Sequence, residues 1–282
     1  MKWIKKGRLF HISEPVGWMN SHAQCPTAVL LKDRIRVYFS ARLKNQQSLP
    51  IYIDLNRFDL SDVINICKEP VLKFGRKGTF DENGIIPSYF IEISNKLYFY
   101  YAGWSQCKNV PYKNFTGLAI SEDEGQTFKK YTEAPVFSLD KHNPMSATGP
   151  CIVKRENDYF AIYSTGIDWV EINGKLEHTY LLTYATSKNA IDWEGSGKII
   201  IEPEKKSFVH CKPAIIFERG MYHMWFSYRG SNNFRKKGNE SYRIGYACSK
   251  NLTHWIRDDS KAGINVSDEG WDSEMICYPN II

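Results

Sequence analysis

Two acidic segments with a similar pattern lie far apart in the chain. They are Phe80-Asp81-Glu82-Asn83-Gly84 and Trp271-Asp272-Ser273-Glu274. When two carboxyl groups face one sugar, one can protonate the leaving oxygen while the other activates water or stabilises an oxocarbenium-like centre. We therefore predict Asp81 and Glu274 as a catalytic acid/base pair, with Glu82 and Asp272 as substrate-binding residues that tune or replace them. Acids before a strand also serve as ordinary turn residues, and this alternative stays open for each of the four.

Cationic and aromatic side chains are predicted beside these acids. An arginine can hold a carboxylate, phosphate or sulfate group with two parallel hydrogen bonds, and lysine or histidine can add positive charge. A tryptophan at the end of a strand can stack on a sugar face or pack in the core. The predicted substrate-binding residues of these types are Arg42, Arg229, His22, His210, Lys212, Trp104 and Trp169. For the arginines, the alternative is an ion pair with a carboxylate of the protein.

The sequence requires no metal and no other cofactor. The chain has 7 cysteines, an odd number, and they lack the close pairs that zinc sites need, so reduced thiols are expected. The remaining histidines show no metal-ligand spacing. The expected ligand is a carbohydrate, anionic or phosphate-bearing.

The composition excludes several classes of protein. Aromatic residues make up 14% of the 282 residues, which excludes a disordered chain. The formal charge of +6 is spread along the chain, so nucleic acid is not an expected partner. No apolar run reaches the roughly 18 residues of a membrane span, and the basic start lacks the apolar core of a secretory signal. A cytoplasmic location is the default prediction, with the oligomeric state left open.

A repeat must position the candidate site. Proline stands in or beside an apolar run five times, at intervals of 61, 63, 63 and 66 residues, at Pro26, Pro87, Pro150, Pro213 and Pro279. A second run, rich in aromatic and β-branched residues, follows each of the first four. A period of about 63 residues with three or four short strands fits a propeller blade. We predict one all-β domain over residues 1–282, a five-bladed β-propeller with about four antiparallel strands per blade.

The third run of each middle repeat ends in a turn motif. The sharpest copy, residues 121–128, fits the Asp-box pattern S-x-D-x-G-x-T-[FW] and predicts a structural hairpin. The last repeat is short: Met275 to Ile282 is predicted as its inner strand, and residues 3–12 as an outer strand that closes it. We expect a natural chain longer than 282 residues or an incomplete last blade.

This geometry gathers the candidate residues. The first strand of each blade lines the central channel, and the second strand runs back antiparallel to it. The beginnings of first strands and the ends of second strands therefore surround one mouth of the channel, where the predicted acids, cations and tryptophans all fall. The Asp-box turns fall at the opposite face.

The chain resembles a known superfamily. The segments that carry the resemblance are Gly78-Thr-Phe-Asp81-Glu-Asn-Gly84-Ile-Ile-Pro87, Met224-Trp-Phe-Ser-Tyr-Arg229 and Gly270-Trp-Asp272-Ser-Glu274-Met-Ile-Cys-Tyr-Pro279. With the five proline-marked repeats, they are similar to the five-bladed β-propeller glycosidase-like superfamily of arabinanases, invertases and mannoside phosphorylases. The chain looks most like an uncharacterised bacterial branch associated with surface-polysaccharide genes.

The resemblance implies a fold over almost the whole chain but not a preserved catalytic triad. Arabinanase-like enzymes carry an acid on the first inner strand and a glutamate before a later Gly-Pro. Here residues 20–24 contain no acid, and Thr148 precedes Gly149-Pro150. Asp81 matches a recurring acid of the superfamily, and Glu274 matches only the uncharacterised branch.

Two functions follow from these observations. The first is a glycoside hydrolase-like or phosphorylase-like enzyme that acts on a bacterial poly- or oligosaccharide. The alternative is a non-catalytic sugar-binding propeller in polysaccharide biosynthesis, because a fold alone does not establish activity. A sialidase-like function is a weaker third reading, since Arg42 and Arg229 fall short of an arginine triad.

Overall fold

The computed structural model describes residues 2–205, 208–232, 234–236 and 238–282. Within these ranges the fold is all-β, as predicted, and the one helical element is a 3-10 turn at Asp259–Lys261. The strands are β1 (Ser21–Leu30), β2 (Arg34–Arg42), β3 (Ser48–Asn56), β4 (Val63–Ile66), β5 (Gly84–Ile93), β6 (Lys96–Gln106), β7 (Tyr112–Ser121), β8 (Lys129–Lys130), β9 (Ala147–Lys154), β10 (Tyr159–Ile172), β11 (Lys175–Ser187), β12 (Glu194–Ile199), β13 (Val209–Glu218), β14 (Met221–Arg229), β15 (Arg243–Ser249) and β16 (Ile256–Arg257). In the described part of the chain, no helix has the length and apolarity needed to cross a membrane.

The chain divides into two compact units. The N-terminal unit comprises Lys5–Phe137 together with Ile282, and the C-terminal unit comprises residues 2–4 and Ser138–Ile281. A single domain over residues 1–282 stays a prediction.

The N-terminal unit contains two antiparallel meanders, β1 to β4 and β5 to β8. They join where β3 pairs in parallel with β5, Ser48 opposite Gly84. Strand β3 is buried on both faces and accordingly reads as a nearly continuous apolar run. An aromatic core between the meanders brings the rings of Tyr38, Phe90 and Phe99 into stacked contact.

The C-terminal unit repeats this plan with β9 to β12 and β13 to β16. Its core contains Phe160 and Ile162 from β10, Met224 and Phe226 from β14, and Trp255. Four antiparallel meanders of four strands therefore correspond to the first four sequence repeats.

A β-bulge marks the proline of every first strand. The pairing shifts register between Gln24 and Thr27, Pro87 and Tyr89, Thr148 and Cys151, and Cys211 and Ala214. Proline has no N–H for the ladder, and a bulge lets the strand pass that position unpaired. The residue before the proline is left-handed in three of these strands and in the final repeat, with φ of 53° at Cys25, 67° at Gly149, 50° at Lys212 and 60° at Tyr278.

The Asp-box turn occurs three times. The Ser121 hydroxyl oxygen accepts hydrogen bonds from the N–H groups of Asp123 and Gly125. Ser187 and Ser249 hold the turns after β11 and β15 in the same manner, with Asn189 and Asn251 in place of the aspartate. The motif is thus a repeated structural turn.

Two predicted strands do not form. Residues 275–282 and residues 3–12 lie outside every strand of the described chain. A strand needs a partner backbone, and the 275–282 segment instead makes isolated bonds, from the Ile276 N–H to the Tyr242 carbonyl and from the Tyr278 N–H to the Ser227 hydroxyl.

Candidate functional site

Asp81 is held as a buried carboxylate inside the N-terminal unit. It is 1% exposed. The Lys130 ammonium lies 2.5 Å from Oδ2, the Tyr101 hydroxyl donates to the same oxygen at 3.0 Å, and the Thr79 hydroxyl lies 3.0 Å from Oδ1. Burial and the neighbouring carboxylate raise the pKa of Tyr101, so its hydroxyl remains a donor. The Asp81 carboxylate is therefore contacted by three side chains that come from three different parts of the N-terminal unit.

Two other repeats bury a polar residue in a similar setting. In the C-terminal unit the Tyr163 hydroxyl lies 3.1 Å from Asn143 Oδ1. His210 packs edge-on against Phe226, with ring centroids 5.2 Å apart. Asn143 and His210 are 2% and 0% exposed. Asp81, Asn143 and His210 each precede a first strand or lie at its beginning. Each contacts an aromatic ring of the second strand. These contacts hold the start of the first strand against its sheet.

His210 lies in the core of the C-terminal unit. Its Nε2 is 3.4 Å from the Arg257 guanidinium. Burial, followed by the charge of Arg257, lowers the pKa of His210 to about 4. The ring is therefore neutral near pH 7.

The beginning of β1 and the end of β2 form a polar cluster in the N-terminal unit. Ser21 pairs with Arg42 across the two strands. The Arg42 guanidinium donates to the Gln24 side chain at 3.4 Å and to the Gln46 carbonyl at 3.1 Å. His22 is exposed and left-handed, with φ of 66°. Partial burial, then the Arg42 charge, lowers the pKa of His22.

Glu82 and Trp104 lie at the same end of this unit. The Trp104 indole donates to Ser48 Oγ at 2.9 Å, and Trp104 pairs with Gly84 at the beginning of β5. The Glu82 carboxylate accepts from the Gly78 N–H at 2.8 Å. Antiparallel pairing thus brings the beginnings of the first strands and the ends of the second strands together within the unit, as predicted.

Arg229 is a buried cation in the C-terminal unit, and within the described residues it has no carboxylate partner. It is 3% exposed. Its guanidinium donates to the Tyr242 hydroxyl at 3.1 Å and to the carbonyls of Gly230 and His178 at 2.8 and 3.0 Å. It also lies 3.6 Å from the Phe234 ring centroid, a favourable cation–π contact. The expected alternative of an ion pair with a protein carboxylate is not what the described structure shows.

Trp169 is half-buried and stacks on His178. The two rings are 4.4 Å apart and within 5° of parallel. His178 is 3% exposed, and burial followed by the Arg229 charge lowers its pKa to about 4. The pair therefore consists of an indole on a neutral imidazole.

The remaining candidates of the C-terminal unit differ in exposure. Lys212 and Asp272 are buried, at 7% and 6% exposed. Asp272 accepts a hydrogen bond from the Ser267 hydroxyl at 3.0 Å. Glu274 is exposed, and its backbone carbonyl accepts from Ser241 and Arg243. Of the two predicted catalytic acids, Glu274 is thus the one open to solvent, and the catalytic assignment of both stays a prediction.

Sequence reasoning did not identify Lys130, Tyr242 or His178. Lys130 follows the Asp-box phenylalanine by two residues, and Arg257 follows Trp255 by the same distance. This recurrence of a cation at one position of the repeat is the sequence signal that could have identified Lys130. Tyr242 immediately precedes β15, and His178 lies near the beginning of β11. Neither residue belongs to a sequence motif.

No protein-family model matches the chain. "Uncharacterized protein MT1551" of Mycobacterium tuberculosis (strain CDC 1551 / Oshkosh) is 32% identical over 283 residues, 99% of this chain and 90% of that protein. The chain belongs to the family of this mycobacterial protein. A shorter match, 34% over 90 residues, covers 32% of the chain and 28% of the 1,2-beta-oligomannan phosphorylase of Thermoanaerobacter sp. (strain X514).

Solved structures place the chain in a glycoside hydrolase-like fold. A structure titled "Glycoside hydrolase" matches with a TM-score of 0.71 at 16% identity, over 89% of this chain and 77% of that one. A thermostable family-43 glycoside hydrolase matches with a TM-score of 0.63 at 19% identity, over 84% and 72%. At these identities the similarity is one of fold.

Proposed function

We propose that the chain is a carbohydrate-active enzyme, glycoside hydrolase-like or phosphorylase-like, that acts on a bacterial poly- or oligosaccharide. We also propose that its architecture is a five-bladed propeller, as the five proline-marked repeats predict. The glycoside hydrolase-like fold and the partial match to an oligomannan phosphorylase support a carbohydrate ligand. Fold alone does not carry the proposal.

The observation that carries it is the strained backbone at the beginnings of first strands. A left-handed non-glycine residue costs roughly 1–2 kcal/mol, and such strain concentrates at functional sites. Gly149 occupies the pre-proline position in β9, so glycine is accepted there. Cys25 and Lys212 keep side chains at the equivalent positions of β1 and β13 despite the strain. Retained side chains at these bulges are consistent with a ligand site there.

The proposed chemistry assigns Glu274 and Asp81 as the acid/base pair, with Glu82 and Asp272 beside them. An anionic or phosphate-bearing sugar would meet Arg42, which is half-buried and has no carboxylate partner in the described chain. His22 and Trp104 lie at the same end of the N-terminal unit and add a cation-capable ring and a hydrophobic face.

Turnover assays test the proposal. The protein is incubated with a panel of defined oligosaccharides that includes 1,2-β-oligomannans, with and without inorganic phosphate, and products are identified by mass spectrometry. Glu274→Gln should abolish turnover, because the amide cannot transfer the proton. Glu269→Gln, an exposed acid of the same segment, is the matched control and should leave the rate unchanged. Full activity of Glu274→Gln would remove Glu274 from the mechanism.

A second candidate function is sugar binding without catalysis. It is favoured by one observation: the Asp81 carboxylate is occupied by Lys130, Tyr101 and Thr79. A carboxylate whose oxygens are already engaged by protein side chains is poorly placed to contact a substrate. Glycan binding by calorimetry with no product under any condition would establish this second function over the first.

A further inference from the structure

The hairpin formed by β10 and β11 is longer than its sheet. Ala147, the first residue of β9, pairs with Thr165, yet β10 continues to Ile172. In the neighbouring meander, β14 ends at Arg229, opposite Val209, the first residue of β13. Residues 166–180 therefore extend roughly 20 Å past the beginning of β9, at about 3.3 Å per residue. This is the end of the C-terminal unit where the first strands begin.

The projecting hairpin has a defined structure. Ile172 pairs with Lys175, and the two residues between them, Asn173 and Gly174, are left-handed with φ of 52° and 75°. An Asn-Gly pair with both φ values positive is the preferred tight turn of a two-residue hairpin. The extension is thus a two-stranded ribbon, with one register shift between Gly166 and Asp168 at its base.

Trp169 lies on this ribbon directly opposite His178. Directly paired side chains on one face of a ribbon are close neighbours, which explains their parallel stacking. Gly166 lies against His178, since a Cβ there would be 2.6 Å from Nε2 of that ring. The absence of a side chain at Gly166 therefore leaves space for the His178 ring that stacks on Trp169.

The base of the ribbon is anchored from the β14–β15 side. Arg229 donates to the His178 carbonyl at 3.0 Å, and its guanidinium lies against the Phe234 ring. Arg235, on the same phenylalanine at 4.1 Å, pairs with Glu177 at 2.5 Å. Two adjacent residues of β11, Glu177 and His178, are thereby held in place from the β14–β15 side.

We propose that this ribbon is a specificity-determining wall for oligosaccharides, with Trp169 as the stacking residue and Arg229 as its positioning residue. The proposal rests on the carbohydrate function proposed above. A partly exposed indole on a rigid support offers a flat apolar surface that suits the face of a sugar ring at little entropic cost. Because it projects past the beginning of the first strands, it meets a second or later sugar unit rather than a single monosaccharide.

Binding to sugars of increasing length tests the wall. Calorimetric titration uses a panel of monosaccharides and their oligomers of two to five units, 1,2-β-oligomannans among them. Trp169→Ala should weaken binding of the longer oligomers about tenfold and leave monosaccharide binding within twofold. Trp169→Phe should keep most of the affinity, which separates stacking from a folding defect. Tyr131→Ala removes an exposed ring of the N-terminal unit and should change nothing.

The outcomes separate this proposal from the one on which it rests. Oligomer binding by Trp169→Ala that equals wild type overturns the wall and leaves the carbohydrate function standing. Failure of the wild-type protein to bind any sugar of the panel overturns both.

The positioning role of Arg229 has its own readout. Arg229→Lys keeps the charge but loses the planar fork that donates to several acceptors at once. In protein labelled with 5-fluorotryptophan, the Trp169 fluorine line, assigned from Trp169→Phe, should shift, and oligomer affinity should fall as in Trp169→Ala. An unchanged line with wild-type length dependence, even at a lower melting temperature, would leave Arg229 a purely structural residue.

Discussion

The Lys130 ammonium lies 2.5 Å from the Asp81 carboxylate, so the last strand of the second sheet is ion-paired to the loop before its first strand. Asp81 is 1% exposed and the Lys130 side chain 18%. Removing one partner of a buried ion pair leaves an uncompensated charge, which costs several kcal/mol. Loss of either partner alone should therefore destabilise the sheet, whatever part Asp81 has in catalysis.

Asp81→Asn is accordingly expected to lower the free energy of unfolding by about 3 kcal/mol, measured by urea denaturation. The double variant Asp81→Asn, Lys130→Met should recover part of that loss, because no buried charge is then left alone. Glu133→Gln breaks the exposed pair with Arg76 and serves as control, with a loss of about 0.5 kcal/mol or less. Equal stability of Asp81→Asn and wild type would show that the ion pair contributes nothing.

The buried histidines His178 and His210 are expected to make the stability of the fold depend on pH. Burial and a nearby arginine lower the pKa of both His178 and His210 to about 4, against 6.5 for an exposed ring. Between these values the unfolded chain binds more protons than the folded one. Stability is therefore full above pH 6.5 and is lost as the pH falls towards 4, by roughly 3 kcal/mol for each ring.

Urea unfolding between pH 7.5 and 4.5 measures this loss. In His210→Gln the slope of stability against pH should be about half that of wild type, whatever the absolute stability of the variant. His254→Gln, at an exposed ring, should keep the wild-type slope. A slope unaffected by His210→Gln would contradict the assignment.

The repeated turn predicts similar costs at three serines. Ser121, Ser187 and Ser249 each accept backbone N–H groups and are 1%, 5% and 3% exposed. Alanine leaves those donors unsatisfied, which costs about 1–2 kcal/mol per site. Thermal and urea unfolding of the three single variants should give comparable losses. A loss confined to Ser121→Ala would mean that only the sharpest sequence copy is a structural turn.

The sequence predicted most of the fold because the residues that mark its bulges and turns act on their immediate neighbours in the chain. Each first-strand proline marks a bulge, and each Asp-box serine marks a turn, so neighbouring residues suffice to locate them. The partners of the candidate residues are not local: Lys130 lies 49 positions from Asp81, and His178 lies 51 positions from Arg229. The apolar pattern of residues 275–282 predicted a strand wrongly, because pattern alone does not supply a pairing partner.

The left-handed His22 gives a prediction that joins stability to binding. Its φ of 66° strains any residue with a Cβ, while glycine adopts this conformation freely but loses more entropy on folding. His22→Gly should therefore raise the free energy of unfolding by about 0.5 kcal/mol. Glu124→Gly relieves the same strain at φ of 57° in the Asp-box turn and should give a similar gain.

If the imidazole beside Arg42 binds ligand, only His22→Gly will weaken glycan binding in calorimetry. Stabilisation of both variants with undiminished binding would remove His22 from the site, and destabilisation of both would refute the strain argument itself.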